Sequence, residues 1–201
     1  APVYARMAQI IAQDAQDREA DERVRFGIML HGCRDVALRD FSMRDTQMFF
    51  VNLTDCHNAV IDGVDIRAPA DSHNTDGIQI ADSRDVTISN CRIEVGDDAI
   101  VTKADVNPIE RLVVRDCALV SDDAAIKFGT RSSGVVRDSL FTDIDITDSR
   151  YGIALFMIHG GEYANNRFEN IRIATGGRHA RTYPVFIDVD DRAAAAAARR
   201  L

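Results

Sequence analysis

The chain has 201 residues, of which 46% are hydrophobic and 28% charged, with a formal net charge of -8. That length and apolar share suffice for a long core, and no apolar run approaches the roughly 18 residues of a membrane span. The acidic balance argues against nucleic acid as a partner, and a negatively charged sugar polymer would need local basic groups to overcome the repulsion.

The chain opens on Ala1 and shows no charged-then-apolar secretion signal. Residues 1–24 are expected to form an N-terminal helical or capping segment. The stretch from Arg6 to Arg23 is partly apolar and could lie across the open end of a cylinder or form a charged extension.

From residue 25 to residue 192 a repeat is legible. The residues opening each run of the form hydrophobic-x-x-hydrophobic-x-hydrophobic are Leu38, Ile61, Ile88, Val114, Phe141 and Phe168, spaced by 23, 27, 26, 27 and 27 residues. The third place of each run is Asp40, Gly63, Asn90, Asp116, Asp143 or Asn170, all turn formers. A fixed period of this size is one turn of a solenoid. Alternating apolar places rich in Val, Ile, Phe and Thr favour strands, and the recurrent Asp, Asn or Gly tolerates the left-handed backbone needed at a bend. A leucine-rich horseshoe competes for this period, but its Leu/Asn signature is absent. The expected fold is all-β: a parallel β-helix, a solenoid of roughly six coils, with short helices at the termini. Beyond it, residues 193–201 contain an alanine run that favours helix by propensity and equally suits a flexible tail.

Stacked coils place identical positions in ladders. Cys33 falls over Cys56 and Cys91 over Cys117. Their Cα atoms would lie within disulfide reach, but buried small ladder positions explain the cysteines as well, so the redox compartment stays open. A second ladder aligns Ile78, Ile100, Ile126 and Ile153 as inward places, followed by Ile80, Thr102, Phe128 and Leu155. On the outer side, Gly77, Ala99, Ala125 and Gly152 are expected to face outward and leave a shallow groove. The edge columns read Asp76, Asp98, Ala124, Tyr151 and Thr75, Asp97, Asp123, Arg150. Gln79, Val101, Lys127 and Ala154 form the other outward row.

Two strings concentrate the chemistry: Asn74-Thr75-Asp76-Gly77 and Gly96-Asp97-Asp98-Ala99-Ile100, with Lys103 following. They bring Asp76, Asp97 and Asp98 to one patch on successive coils. Carboxylates at a coil spacing repel, which raises the proton affinity of at least one. Glycosidic cleavage needs that division, one carboxylic acid protonating the leaving oxygen and a carboxylate activating water. Asp97 and Asp98, being consecutive, point to opposite sides of a regular strand, so both serve only if the backbone bends, which Gly96 makes cheap. The competing reading is that Asp is simply common in β-helix turns.

These two strings resemble the first two active-site motifs of glycoside hydrolase family 28, the polygalacturonases and their relatives, and the resemblance extends from about residue 25 to residue 192. It implies a right-handed parallel β-helix and inverting hydrolysis of a pectin-like galacturonan or related acidic polysaccharide, and it makes the chain part of a full catalytic domain. By motif, Asp97 would be the general acid, with Asp76 and Asp98 activating water. Asn74 and Lys103 would contact substrate. The resemblance also implies a secreted or periplasmic protein active on plant cell-wall pectin.

The sequence departs from the family in two places. Where a Gly-His-Gly motif is expected it reads Asp123-Ala124-Ala125-Ile126-Lys127-Phe128-Gly129-Thr130, and where Arg-Ile-Lys is expected it reads Ala154-Leu155-Phe156. Ala-Ile-Lys-x-Gly resembles a divergent bacterial branch, in which Lys127 and Arg150 would supply positive charge from new positions. Pairing of Asp123 with Arg150 would keep Asp123 ionised and favour a proton on Asp97, leaving Lys127 free to meet an acidic sugar. His73 and His159 are further candidates for substrate contact, with a solvated turn histidine as the plainer reading.

No Cys/His spacing suggests zinc and the glycines form no phosphate loop, so no cofactor is expected. The expected partner is a polysaccharide or oligosaccharide, with neither nucleic acid nor membrane; the sequence leaves the oligomeric state open. Two other function classes share the scaffold: a Ca²⁺-dependent lyase or epimerase using clustered carboxylates, and a non-catalytic carbohydrate-binding β-helix.

Overall fold

A computed structural model describes residues 26–189. Among these residues every regular element is a strand, and every pairing between strands is parallel. The segments expected over residues 1–24 and 193–201 lie outside the described residues, and no helix occurs among the described ones.

The chain winds into a parallel β-helix of about six turns. One face is a seven-stranded sheet with the order β1 (Phe26–His31), β4 (Phe49–Thr54), β7 (Ile78–Ala81), β10 (Ile100–Ala104), β13 (Ala124–Ser132), β16 (Tyr151–Met157) and β19 (Tyr183–Val189). The remaining strands close the cylinder. They join into one network because β12 (Val113–Ser121) pairs through its first half with β8 (Arg84–Ser89) and through its second with β9 (Arg92–Val95).

The interior is built as ladders. Val51, Ile78, Ile100, Ile126 and Ile153 stack in register on the seven-stranded face and are buried. On the opposite wall Ile88, Val114, Phe141 and Phe168 form the matching column. Phe141 and Phe168 stack with ring centroids 4.9 Å apart, and Phe128 joins them from the facing sheet. A buried isoleucine contributes roughly 2 kcal/mol by leaving water, so these ladders carry the cylinder.

The turns obey the expected column: Asp40, Gly63, Asn90, Asp116, Asp143 and Asn170 all have φ between 47° and 65°. A second column, Asp35, Asn58, Asp85, Arg111, Asp138 and Asn165, repeats at the same spacing with φ between 53° and 56°. Short amide and carboxylate side chains tolerate this left-handed region, and here they also bond up the stack. Asn58 Nδ2 donates to Asp35 Oδ1 at 2.7 Å, and Asn165 Nδ2 donates to Asp138 Oδ1 at 2.6 Å.

The four cysteines are free thiols, with Cys56, Cys91 and Cys117 buried, as the ladder-position reading requires. The expectation for the small row is corrected. Ala99 and Ala125 are wholly buried in the main core, and a Cβ on Gly77 would come within 2.5 Å of Ile93 Cγ2. A Cβ on Gly152 would meet Ile173 Cγ2 at the same distance. The chain bends just before these strands, so the corner residue turns inward instead of following the strand's alternation, and only Gly or Ala fits there. The groove floor is therefore the other row, Gln79, Val101, Lys127 and Ala154.

Candidate active site

The loop before β7 carries the first motif. Thr75 Oγ1 donates to Ser72 O at 2.7 Å and accepts from Gly96 N at 3.0 Å, tying the loop to the coil above. Gly96 is needed for that approach: a Cβ there would lie 2.3 Å from Ser72 O and 2.9 Å from Pro69 O. Its φ is not in the left-handed region, so closeness rather than backbone freedom selects glycine at this bend. Ser121 Oγ then fixes the second motif from the next coil, donating to Asp97 O at 2.6 Å.

This scaffold makes three carboxylates converge. Asp76, Asp97 and Asp98 each offer an oxygen, and these atoms all lie within 4.8 Å of one another. Asp76 and Asp98 are buried, Asp97 only half-buried. The bend at residues 96–98 thus overcomes the strand alternation that would have separated Asp97 from Asp98.

Cations divide the three. Lys103 Nζ stands 3.6 Å from Asp76 Oδ2 and donates to Gln79 Oε1 at 2.8 Å. Lys127 Nζ stands 3.1 and 3.0 Å from the two oxygens of Asp98, and donates to Asp123 Oδ2 at 2.9 Å. Arg150 reaches Asp123 Oδ1 at 3.3 Å. Among the described residues no cation pairs with Asp97, whose Oδ1 accepts the backbone N–H of Asp98 at 3.0 Å.

Burial pushes the Asp76 carboxyl up to about 6, with Lys103 opposing and Asp97 adding repulsion. Burial also raises Asp97, against the pull of Lys127 and with Asp123 repelling. Asp98 is raised well above the ordinary range by its burial, although Lys127 counters this. For Lys127, burial works against the charge, but Asp98 and Asp123 more than offset it and raise its pKa. Lys127 therefore stays charged, and the crowded trio shares the protons it retains.

The expected stacking of Asp97, Asp123 and Arg150 is present in the register, and so is the Asp123–Arg150 pair. The expectation of a free Lys127 is corrected: its ammonium is locked between Asp98 and Asp123, because their charges compensate its desolvation. Asn74, at φ 59°, and His73 are exposed on the loop that ends at Asp76, and neither is bonded to the carboxylate patch. His159 is also exposed, with Nδ1 3.0 Å from Thr130 O.

Two features were not foreseen. Aromatic rings flank the acids in their own column: Phe49 one coil before Asp76, and Tyr151 and Tyr183 beyond Ala124. Tyr151 was visible in the edge column, but Tyr183 lies on a coil outside the readable repeat. A strap also closes one side: Arg178 donates to both oxygens of Asp122, at 3.0 and 2.6 Å, and to Ala70 O at 2.8 Å. Its partners are 56 and 108 residues away in sequence, beyond any local signal.

The sequence profile of glycosyl hydrolases family 28 matches residues 13–194. The chain belongs to this family. It is 27% identical over 179 residues to a polygalacturonase of Medicago sativa, covering 74% of this chain and 42% of that one. An exopolygalacturonase of Platanus acerifolia is 35% identical over 83 residues, 41% of this chain and 21% of the relative. The chain thus spans less than half the length of these relatives. In three dimensions it resembles a polygalacturonase from Erwinia carotovora, with a TM-score of 0.69 at 18% identity, covering 80% of this chain and 44% of the other. A hyperthermoactive exopolygalacturonase from Thermotoga maritima gives 0.62 at 23% identity, over 73% and 38% of the two chains. These likenesses establish the parallel β-helix as the shared fold.

Proposed function

We propose that this family 28 protein is a glycoside hydrolase that cleaves a pectin-like polysaccharide with inversion, Asp97 acting as general acid and Asp76 and Asp98 holding the attacking water. The observation that carries the assignment is the division of cations. Asp76 and Asp98 each lie against a lysine ammonium, at 3.6 Å and at 3.0 Å, whereas half-buried Asp97 forms no ion pair among the described residues and is the most accessible of the three. A proton donor needs accessibility and a raised pKa; a base needs a partner that keeps it ionised.

The oxygens lie closer than the roughly 6.5–9.5 Å usual for inverting pairs and nearer the roughly 5 Å of retaining ones. Inversion is preferred because Asp98 is engaged by Lys127 through both oxygens, which blunts it as a nucleophile while leaving it able to orient water. Nuclear magnetic resonance of the first-formed anomer from an α-linked galacturonan tests this: a β product supports inversion and an α product contradicts it.

The Ca²⁺-dependent lyase reading is disfavoured by the same lysines, since a divalent ion at the trio would have to compete with two ammonium groups already beside Asp76 and Asp98. Reducing-end release from polygalacturonate, with and without chelator and with unsaturated products monitored by absorbance, separates the classes. Chelator-resistant release without unsaturated ends supports hydrolysis. Unsaturated, chelator-sensitive products would replace it with elimination, and binding without release would leave a lectin-like module. A polymer substrate of this kind is met outside the cytoplasm, so secretion or periplasmic export completes the reading; fractionation of the native host tests it. Among the described residues no helix is long and apolar enough to cross a membrane.

A further inference from the structure

On the outer face of the seven-stranded sheet, the edge column that holds Asp76 and Asp98 continues through Ala124 to Tyr151 and Tyr183. The neighbouring floor row runs Val101, Lys127, Ala154, Phe186. At the spacing of hydrogen-bonded strands, Tyr151 stands two coils, about 10 Å, from Asp98 along the groove. Four rings meet there. Tyr151 stacks on Tyr183 with centroids 5.6 Å apart and planes 12° apart, and Phe186 lies 5.2 Å from Tyr151 and 5.4 Å from both Phe156 and Tyr183.

This cluster is separate from the cylinder's core. Tyr151, Ala124 and Ala154 pack with Phe156 and Phe186 outside the sheet, so the rings are not needed to fill the interior. Ala124 and Ala154 keep the floor low beneath them. Tyr183 is 37% exposed and Phe156 and Phe186 are half-buried, so ring surface reaches the groove. A contiguous outer aromatic group of this kind marks a binding surface, and its continuity with the carboxylate patch makes the occupant the same chain that the patch engages.

We propose that Tyr151, Phe156, Tyr183 and Phe186 form a stacking platform for a pyranose ring whose presented face carries no charge. The proposal rests on the reading of the carboxylate patch as a glycosidase site and adds the class of sugar taken beside it. The axial C–H bonds of a pyranose present positive edges to the negative face of an aromatic ring, and Tyr183, exposed and backed by the buried ring of Tyr151, offers such a surface. An ionised uronate fits less well. Among the described residues, the two cations stacked on these rings are already committed: Lys127, 5.6 Å from the Phe156 centroid, binds Asp98 and Asp123, and Arg150, 4.7 Å from the Tyr151 centroid, binds Asp123. A further carboxylate would meet Asp97 and Asp123 with these charges already neutralised. A methyl-esterified galacturonate and a neutral hexose share the required uncharged face.

The test uses the full chain carrying Asp97→Asn, so that ligands bind without turnover, and calorimetry with three probes at pH 7: trigalacturonate, its methyl ester and galactotriose. The expected order places the ester or the galactotriose about tenfold tighter than the ionised trimer, and their relative affinities identify which source of neutral face is preferred. Adding Tyr183→Leu, which keeps bulk on the surface strand but removes the ring, should weaken the tighter ligand about 2- to 10-fold, whereas Tyr183→Phe should keep its affinity. Tightest binding of the ionised trimer, or no effect of Tyr183→Leu, overturns the platform. A dimer in size-exclusion chromatography that Tyr183→Leu dissociates also overturns it, assigning the rings to a second copy. If the unsubstituted protein hydrolyses none of the probes or their polymers yet a Tyr183-dependent affinity persists, the hydrolase reading fails and the platform stands.

Discussion

Aspartates in the turns and aspartates in the groove belong to the same repeat and lie in opposite electrostatic worlds. Asp62 and Asp143 sit on the outer turns, where amide and hydroxyl donors, Asn90 with Ser89 and Asn170 with Thr142, hold their carboxyls below the ordinary range. Asp85 is likewise held low, by hydrogen bonds from Arg111. In the groove, burial drives Asp76, Asp97 and Asp98 upward although lysines stand beside two of them. The contrast teaches that the ladder itself does not make an acid chemically useful. Enclosure and the count of nearby donors decide whether it braces a turn or holds a proton near neutral pH.

The largest effect is expected where that contrast is abolished at the reacting proton. Asp97→Asn should lower turnover by about two to four orders of magnitude with unchanged circular dichroism, if general acid catalysis has its usual worth. Substitution of a turn acid, Asp143→Asn, should leave turnover intact in the same assay.

Lys127→Met ranks next. It strands Asp98 and Asp123 without their shared cation, and breaking such a buried pair costs about 3–5 kcal/mol, read as a fall in the urea midpoint. The same change should move the acid limb of the pH–rate profile to higher pH, because Asp98 then holds its proton more tightly. Lys127→Arg should restore part of both. Arg150→Ala, acting only through Asp123, should move that limb less.

In the pH–rate profile the acid limb should fall below about pH 6, as Asp76, whose carboxyl is raised by burial, gains its proton.

Much of this was legible in the sequence because it is periodic. The spacing of Leu38, Ile61, Ile88, Val114, Phe141 and Phe168 fixes coil length, and the Asp, Asn and Gly places mark the turns whose φ is positive. The convergence of Asp76, Asp97 and Asp98 follows from the same alignment. What escaped depends on departures from strand geometry or on distant contacts. The corner bend turns Gly77, Ala99, Ala125 and Gly152 inward, against the period-two rule. Side-chain reach lets Lys127 bridge two carboxylates four and 29 residues away, which no column alignment displays.

Smaller effects concern stability. Asp97 has a folded-state pKa above its unfolded one, so its stabilising contribution is complete below the unfolded value near 3.8 and is lost as pH rises through the folded value. Asp97→Asn should therefore melt above the unsubstituted protein at pH 7 and show no such gain below pH 3.8. Asp143, with its pKa lowered, runs the other way: its contribution is present above the unfolded value and fades as pH falls through the folded one. Asp143→Ala, which removes the carboxylate bonded to Thr142 and Asn170 while keeping a Cβ at a φ of 54°, should lower the melting temperature slightly at pH 7, and Asp143→Gly, which relieves that φ, less.

The most direct measurement is a ¹³C nuclear magnetic resonance titration of the aspartate carboxyls, with Asp97 and Asp143 assigned through their Asn variants. The account predicts that Asp97 titrates above the ordinary aspartate value while Asp143 titrates below it, leaving a pH interval in which the groove acid is protonated and the turn acid is not. Superimposed titrations of the two carboxyls would contradict it.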